Sequence, residues 1–499
     1  MSALYSLLVA ARIIGCGGTE VCVQAPAGTP LHIRLTAPVG SYASRPGFIV
    51  QGVLIEPVKT GGATLLPAGS VLAGEVRSSH RVGLGLIHET ASLALDFHSL
   101  SLPGSAESPA PISTRVIAVD NGREEVSPSG VIREIRTTGS VGNRAAHLIR
   151  RALLWETHAQ MAIWAVHALV MQVPEPEIFL PTGAELTLTL ANALRGASVP
   201  PSEDAPRALT PEEKASLAPV IAALPDRTET PVSARRSDLV NLMIIGSRGE
   251  VASAFSAAGW TEARPTTFRT RMSNAFAVVM GSGDYNAPMS SLLLNDMPAD
   301  MSWQKGFNDV SKRHHLRLWR QGQTQDGAEI WIGAATQDVD YAYFRPGHMV
   351  THQVARRVDH ERDKVVNDLA FTMCTEAADW WDRADTPRSL KNATGDTMET
   401  DGKLAIVRLN SCKEPVGINY LPDTLPVHGP AWQLMLRRQI LSVRSDLIRH
   451  NIYWRSFEGL RFLVSAAQHK PPSEPDDPPS KTVASRIQPE WLTSFVSVH

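Results

Sequence analysis

The sequence predicts a multidomain α+β protein. Its N-terminal part is a β-barrel or sandwich that carries a helical insertion, and its C-terminal part is a mixed α/β domain. Three observations predict this class. Residues 24–136 contain short alternating apolar and polar runs separated by turns, and residues 139–173 carry apolar residues at three- and four-residue steps. Residues 237–466 then mix strand-like and helix-like segments.

The N-terminal β domain is predicted over residues 24–195. Residues 31–35, 70–76 and 91–97 alternate as half-buried strands do, and Gly- and Pro-rich turns separate them. Residues 177–191 return to this pattern. The helical stretch at about 139–173 is therefore an insertion within one β domain.

The C-terminal domain is predicted over residues 237–466, and its order of elements favours an α/β or α+β fold. The expected elements are a buried strand at 239–245, a helix at 250–258, strands at 314–320, 329–336 and 349–354, a helix at 359–382, a strand at 404–409 and a helix at 431–447.

Two proline-rich stretches flank this domain. Seven prolines lie within residues 196–236, among Ser, Ala, Glu and Asp, which is typical of an extended linker with at most a short helix at 215–224. Residues 467–499 form a second such stretch, which we expect to be a tail.

The charge balance excludes one class of partner. Lys and Arg number 48 and Asp and Glu 50, giving a formal charge of −2. A strongly basic nucleic-acid binder is excluded as a description of the whole chain, so we expect no nucleic acid among the partners.

The first 23 residues suggest export. They resemble a shortened secretory signal or anchor, and Ile13-Ile14-Gly15-Cys16 resembles a bacterial lipoprotein cleavage box, which makes Cys16 a lipidation candidate. No basic segment precedes the apolar run and Arg12 interrupts it, so an ordinary apolar N-terminus is the alternative.

Cys374 and Cys412 are a disulfide candidate. A bridge between them would close a loop of about 37 residues in an oxidising compartment. Two reduced core cysteines are the alternative. No CxxC pair occurs in the sequence, which disfavours a zinc or thioredoxin-type site.

The chemistry-bearing residues concentrate in the C-terminal domain. Side chains alternate on a strand, so one face of residues 313–319 carries His315, Arg317 and Trp319 while His314 lies on the other face. Histidine supplies a base or a metal ligand, carboxylates orient it, and arginine holds anions. The candidate catalytic residues are His315, Asp338, His352, Arg362 and Asp363, and the candidate binding residues are Arg317 and Trp319.

The spacing of these residues leaves other interpretations open. No HExxH motif is present and the metal stays unknown, as does any cofactor. A structural network of ion pairs explains the same residues. The apolar helix at 147–173 either packs on the barrel or contacts a membrane or a partner.

The C-terminal domain resembles the LssY C-terminal domain family. The resemblance lies in RHHLRLW at 313–319, WIGAATQD at 331–338 and THQV…DHERDKVVNDL at 351–369, with supporting motifs at 238–247, 258–260 and 392–402. Gln337 departs from the pattern, since His is expected before Asp338. The family is associated with a type I secretion locus and has no established activity, so the resemblance implies an envelope setting.

The N-terminal domain is similar in style to the TrbI-type β-barrel of conjugation and secretion channels. GTPLHIRL, LLPAGSVLAGEV and FLPTGAELTLTL each place a Pro-Gly turn next to an alternating strand. In that family, too, a helical hairpin interrupts the barrel.

Three functional hypotheses follow, and the weakest of them is a ligand-binding module that uses the arginines without chemistry. The first is an extracytoplasmic envelope protein, in the periplasm or at a membrane, with a structural or accessory role in export and an envelope or secretion-system protein as partner. The second is a periplasmic hydrolase that acts on a phosphate- or acyl-bearing substrate through the His/Asp/Arg cluster. Convergence of the candidate side chains in one cleft favours the second hypothesis.

Overall fold

The computed structural model describes most of the chain except several segments. The described residues are 12–14, 22–85, 89–104, 108–134, 175–199, 205–231, 233–264, 267, 269–270, 289–306, 312–344, 349–412, 421–422, 430–450, 456 and 460. Cys16, the predicted insertion at 139–173 with its helix at 147–173, and the predicted tail at 467–499 lie outside the described residues.

The N-terminal half is built from strands. Their bounds are β1 Arg12–Ile14, β2 Cys22–Ala25, β3 Pro30–Leu35, β4 Val39–Gly40, β5 Ile49–Leu54, β6 Val58–Thr60, β7 Ala63–Leu66, β8 Val71–His80, β9 Ser92–Ser101, β10 Ala110–Pro111, β11 Thr114–Val119, β12 Glu125–Val126, β13 Val131–Arg133, β14 Phe179–Leu180, β15 Glu185–Leu190 and β16 Leu194–Ala197.

These strands curl into a nearly closed barrel-like sheet. Its order is β11-β15-β3-β5-β8-β9-β13-β12, and β11 at one end lies against β9 and β12 near the other end. The alternating side chains of β3, β8, β9 and β15 fill the interior, with Leu31, Leu72, Phe97 and Leu186 almost fully buried. The predicted N-terminal β fold is confirmed.

The C-terminal half mixes strands and helices. Within its described residues the helices are α1 Pro211–Ala222, α2 Arg248–Ala257, α3 Val358–Phe371 and α4 Ala431–His450. Its strands are β17 Arg227–Glu229, β18 Arg236–Leu239, β19 Leu242–Ile245, β20 Thr261–Glu262, β21 Leu293–Leu294, β22 Met297–Pro298, β23 Met301–Lys305, β24 Arg313–Gln323, β25 Glu329–Phe344, β26 Met349–Val354, β27 Thr375–Asp382, β28 Ser389–Lys391, β29 Thr397–Glu399 and β30 Lys403–Leu409.

The main C-terminal sheet has helices on both faces. Its order is β20-β23-β24-β25-β19-β30-β27, and β26 pairs with β25. The β19–β30 pair is parallel and the other pairs are antiparallel, so the sheet is mixed. Helices α2 and α3 pack on one face with Leu316 and Leu318, whereas α1 packs on the other face. The predicted α+β class is confirmed.

Helix α2 shows how local sequence sets an element. Ser247 caps its N-terminus, because its hydroxyl accepts from the Glu250 amide while the Glu250 carboxylate accepts from the Ser247 amide. Gly259 follows the helix with a φ of +80°, a conformation that glycine adopts without strain. Trp260 follows Gly259 and is buried in the core.

The predicted helix at 359–382 is shorter in the structure. Helix α3 ends at Phe371, Met373 adopts a φ of +57°, and the chain continues as the edge strand β27. The positive φ reverses the chain, and β27 then pairs with β30 over 375–382. Trp380 and Trp381 therefore lie on a strand, where Trp380 is exposed and Trp381 packs on the core.

Residues 205–229 differ from the expected extended linker. Helix α1 buries Leu217 and Ile221 in the same cluster as Trp319, and Arg207 pairs with Glu213 and Glu376. This stretch is therefore folded onto the C-terminal sheet, because its few apolar residues fall on one side of a capped helix.

Helix α4 also differs from its expected position. It lies within the predicted C-terminal domain in sequence, yet Leu441 is buried in the N-terminal core and Arg437 donates to the Glu177 carboxylate and the Val82 carbonyl. The C-terminal region of the chain thus returns to the barrel. None of the helices in the described part of the chain combines the length and apolar character that a membrane crossing requires.

Candidate functional site

Strand β24 positions the candidate histidines on opposite faces of the sheet. His314 faces α3, where its Nδ1 lies 2.7 Å from the Glu361 carboxylate. His315 faces the other side, together with Arg317 and Trp319, as the alternation predicts. The two neighbouring histidines therefore serve different environments and cannot act on one ligand.

Asp338 gathers two of the predicted residues. Its Oδ2 lies 2.7 Å from His315 Nε2 and 3.5 Å from His352 Nδ1. His315 and Asp338 are buried, whereas the His352 side chain is 38% exposed. The three side chains are therefore connected by contacts that run from the buried His315 and Asp338 to the partly exposed His352.

Neighbouring side chains keep the Asp338 carboxyl group ionised. Burial by itself would raise the pKa of this carboxyl, but the His315 charge and hydrogen bond, then His352 and Arg317, lower the pKa below its usual value. Asp338 is therefore an ionised acceptor at neutral pH. It can orient an imidazole and stabilise its protonated form.

The hydrogen-bond donors of Arg317 are occupied by acceptors within the protein. Its guanidinium donates to Asp238 at 3.2 Å and to the carbonyl and hydroxyl of Ser290. Burial raises the pKa of Asp238, and Arg317 opposes that shift. Because Arg317 itself is buried and its donors meet internal acceptors, it is not placed to hold an anionic substrate.

Trp319 lies in the core. Its side chain is 1% exposed and its indole nitrogen donates to the Met297 carbonyl at 2.9 Å. The binding role expected for Trp319 stays a prediction, and the role that its contacts give it in the structure is packing.

Arg362 and Asp363 do not join the histidine cluster. They belong to α3, on the face of the sheet opposite His315, where Arg362 pairs with Asp363 at 2.8 Å and with Asp401 at 2.7 Å. Asp359 accepts from Arg362, from the Thr400 hydroxyl and from the Asp401 amide. These residues tie α3 to the turn before β30.

Asp359 is the first acidic residue of α3 but does not occupy its N-cap position. The N-cap position is instead Arg357, which makes no side-chain capping bond. Asp359 lies in the first turn and is held by the contacts just described.

The donor set does not form a preassembled metal centre. Among the described residues, no group of three or more His, Cys, Asp and Glu side chains has an arrangement that could hold a metal ion. Two imidazoles on one carboxylate can still move a proton, so acid–base chemistry at the exposed His352 is what this arrangement could perform.

A second set of polar residues, which sequence reasoning missed, lies between the two halves. We call it the buried charge cluster, and it consists of Arg34 on β3, Glu185 on β15, Lys305 on β23, and Lys364 and Asp368 on α3. Lys305 Nζ lies 2.5 Å from Glu185 Oε1 and 3.0 Å from Asp368 Oδ2. Arg34 Nη2 lies 2.9 Å from Glu185 Oε1 and 3.2 Å from Asp368 Oδ1. Lys364 Nζ lies 2.7 Å from Glu185 Oε2 and 3.3 Å from Asp368 Oδ1.

Further contacts enclose the buried charge cluster. The Trp260 indole donates to Asp368 at 2.9 Å, and the Arg34 guanidinium lies 5.3 Å from the centre of the Phe371 ring. Phe371 packs with Val53 and Ile55 of the barrel. Three cations therefore surround two carboxylates in a nearly dry interface between barrel and sheet.

The pKa values in the buried charge cluster reflect this balance. Burial by itself would raise the pKa of Glu185, but Lys305, Lys364 and Arg34 hold it well below its usual value. The pKa of Asp368 is lowered in the same way, mainly by Lys305 and Lys364 against the effect of burial. Burial, with the charge of Arg34, lowers the pKa of Lys305 to about 8.

No local pattern in the sequence could have indicated the buried charge cluster. Arg34 and Asp368 are 334 positions apart. The one signal is that Arg34 and Glu185 lie on strands with little other charge, β3 and β15, and they face each other in register.

Cys374 and Cys412 form a disulfide. Cys374 is buried in the core beneath α3, and Cys412, just after β30, is partly buried beside it. The bridge joins the start of β27 to the end of β30, which are also neighbours in the sheet.

Comparison with known protein families finds a match to part of the chain. Residues 221–404, a little over a third of the chain, match the family model "LssY C-terminus". The predicted resemblance to this family is confirmed over those residues, which include His315, Asp338 and the motifs quoted above. None of the curated proteins matches the sequence.

A solved structure of ComB10, from the Com type IV secretion system of Helicobacter pylori, also matches. The two sequences are 12% identical, and the match covers 34% of this chain and 88% of that chain with a TM-score of 0.19. That score is too low to support an argument about fold or function, so the similarity to TrbI-type barrels stays a prediction.

Proposed function

We propose that this protein works outside the cytoplasm, in the cell envelope, in a structural or accessory role. The observation that carries the proposal is the Cys374–Cys412 disulfide. Structural disulfides persist in oxidising compartments and are rare in the cytosol. The match of residues 221–404 to the LssY C-terminus family is compatible with an envelope or secretion-associated setting.

The structural role is supported by what the polar side chains do. Arg317, Arg362 and Asp363 are occupied in internal ion pairs and hydrogen bonds. The buried charge cluster and the apolar contacts of Phe371 bind the barrel to the C-terminal sheet. These features suit a fixed body that presents surfaces to a partner, for which we propose an envelope or secretion-system protein.

The compartment is tested by trapping thiols in intact cells of the source organism. Cells are treated with a thiol-alkylating reagent before lysis, fractionated, and the peptides containing Cys374 and Cys412 are identified by mass spectrometry. We expect a disulfide-linked pair in the periplasmic or membrane fraction. A cytoplasmic protein with both cysteines alkylated would refute the extracytoplasmic proposal.

A hydrolase is the second candidate, and the line from His315 through Asp338 to His352 favours it. In this reaction His352, whose side chain is partly exposed, would take a proton from water as the water oxygen attacks a phosphate or acyl ester. The bond to the leaving alcohol would break, and the imidazolium would return the proton to the departing oxygen. Asp338 would stabilise the imidazolium that forms. No arginine of the predicted set is available there to bind an anion, which is why this candidate ranks second.

The hydrolase candidate is tested with the purified chain on chromogenic phosphate mono- and diesters and on acyl esters. The comparison is between the wild-type chain, His352→Gln and His360→Gln, since His360 is an exposed histidine on α3 outside the cluster. Turnover that His352→Gln abolishes and His360→Gln retains would establish the enzyme. Equal background rates in all three would exclude it for these substrates.

A further inference from the structure

A three-stranded sheet joins the start of the chain to the barrel. Strand β16 is its middle strand, and it pairs in parallel with β1 on one side and antiparallel with β2 on the other. Leu194 of β16 and Ala25 of β2 are buried in the barrel core, and Val23 packs against that core. The strands that precede residue 25 therefore belong to the folded N-terminal half.

The register of this sheet brings the end of β1 and the start of β2 to the same end of β16. Ile14 lies opposite Gly196, and Cys22 lies opposite Ala197. Because neighbouring strands are about 4.8 Å apart, β1 and β2 are separated by about 10 Å across β16. Cys16 follows Ile14 by two residues, which span at most about 7 Å, and the Cα atoms of a disulfide lie within about 7 Å of each other. Cys16 can therefore reach Cys22.

The sulfur of Cys22 is already bonded. Cys22 is part of a disulfide. The chain has four cysteines, and Cys374 and Cys412 are bonded to each other. Each sulfur takes part in one disulfide, so elimination within the chain leaves Cys16, which lies outside the described residues, as the partner of Cys22.

A disulfide at Cys16 excludes lipidation of the same residue. A lipid thioether would occupy the sulfur atom that the disulfide requires. Processing at the lipoprotein-like box would also cut between Gly15 and Cys16 and so remove β1 from the chain. The backbone groups of β16 that face β1 would then lose their strand partner, since β1 pairs with Leu194, Arg195 and Gly196.

We propose that Cys16 and Cys22 form a disulfide in the exported protein, that Cys16 is therefore not lipidated, and that residues 12–21 stay in the mature chain. The inference rests on the proposed extracytoplasmic location, because the bond persists in an oxidising compartment. The two thiols lose two protons and two electrons as the S–S bond forms. By thiol–disulfide exchange, the disulfide of an envelope thiol oxidoreductase is reduced to two thiols in the same reaction.

The test is peptide mapping of the full chain without reduction. Intact cells of the source organism are treated with a thiol-alkylating reagent, and the protein is then purified from each cell fraction. Trypsin and a protease that cleaves after glutamate cut at Arg12, Glu20 and Arg34, so that Cys16 and Cys22 fall on two different peptides. Mass spectrometry identifies linked, alkylated and lipid-bearing forms of both.

We expect the peptides 13–20 and 21–34 to be recovered as a linked pair that carries no lipid. In Cys22→Ser we expect the Cys16 thiol to be alkylated, because its partner is gone. Cys412→Ser is the matched control, since it removes a cysteine of the other pair and leaves the link between Cys16 and Cys22 intact.

Three results would overturn the inference: lipid on Cys16, a mature N-terminus at Cys16 or later, or alkylated Cys16 and Cys22 in the wild-type chain. If Cys374 and Cys412 are linked in the same sample, the extracytoplasmic proposal stands and this inference alone fails. Alkylation of all four cysteines would refute both.

Discussion

Glu185 is the residue on which the charge balance of the buried charge cluster depends. Three cations face Glu185 and Asp368. Glu185→Gln therefore leaves three cations around one carboxylate, whereas Lys305→Met leaves two cations around two carboxylates. We expect Glu185→Gln to lower the free energy of unfolding by about 3–5 kcal/mol and Lys305→Met by about 1–3 kcal/mol.

Urea unfolding of both variants against wild type measures this difference. Lys364→Met serves as a second cation variant, since Lys364 contacts the same two carboxylates. A larger loss in Lys305→Met than in Glu185→Gln would contradict the charge argument.

The carboxylates of the buried charge cluster also set a pH dependence. The pKa values of Glu185 and Asp368 are lowered in the folded protein, so the unfolded chain binds protons first as pH falls. Their contribution to stability is present above about pH 4–5 and is lost as pH falls below the unfolded pKa of about 4.

We therefore expect the free energy of unfolding to fall steeply between about pH 5 and pH 3, and Asp368→Asn to flatten that fall. Asp382→Asn is the control, because its side chain is 67% exposed and lies 3.6 Å from Arg388. The measurement is urea unfolding across this pH range. An Asp368→Asn curve as steep as that of wild type would show that these carboxyls do not govern acid stability.

At the scale of elements, the disulfide holds the reversal between α3 and the β27–β30 pair. Cys374 and Cys412 are 38 positions apart, and a loop of that size corresponds to about 3–4 kcal/mol. We expect a reducing agent to lower the unfolding midpoint of wild type by more than that of Cys412→Ser, because in the variant only the disulfide of Cys22 is left to reduce. A midpoint for wild type that does not respond to complete reduction would mean that sheet pairing alone fixes this region.

The elements that could be predicted from sequence are those with a local cause. The alternation in β3, β8 and β24 and the capping box of α2 are properties of adjacent residues, and each is found where the pattern indicates. The end of α3 was missed because it depends on a positive φ at Met373 and on pairing with a strand thirty residues later. Trp380-Trp381 looked helical because the preceding helix had no glycine or proline to end it.

The candidate site, too, was predicted correctly where the cause is local and wrongly where it depends on long-range packing. Strand alternation correctly separated His315 from His314, and both His315 and His352 reach Asp338. Arg362 and Asp363 looked like members of the same site because they follow His352 closely in sequence. Helix α3 carries them to the other face of the sheet, which depends on packing and has no local signal.

At the scale of the whole molecule, the barrel and the C-terminal sheet are joined more closely than the sequence suggests. The proline-rich stretch before residue 237 favours a mobile connection, yet α1 packs on the sheet and α4 returns to the barrel. The contacts between Arg34 and Asp368 and between Glu185 and Lys305 join residues that are far apart in the chain. These contacts between the two halves favour the proposed structural role over that of an isolated catalytic domain.

The most direct test of that role is complementation of a strain that lacks the gene. His352→Gln removes the one exposed member of the histidine cluster, and His360→Gln is the matched control. If the role is structural, we expect His352→Gln to restore the envelope or export phenotype as fully as His360→Gln and wild type do, at equal protein abundance. Failure of His352→Gln alone, with wild-type abundance and unfolding midpoint, would contradict the structural role and identify His352 as catalytic.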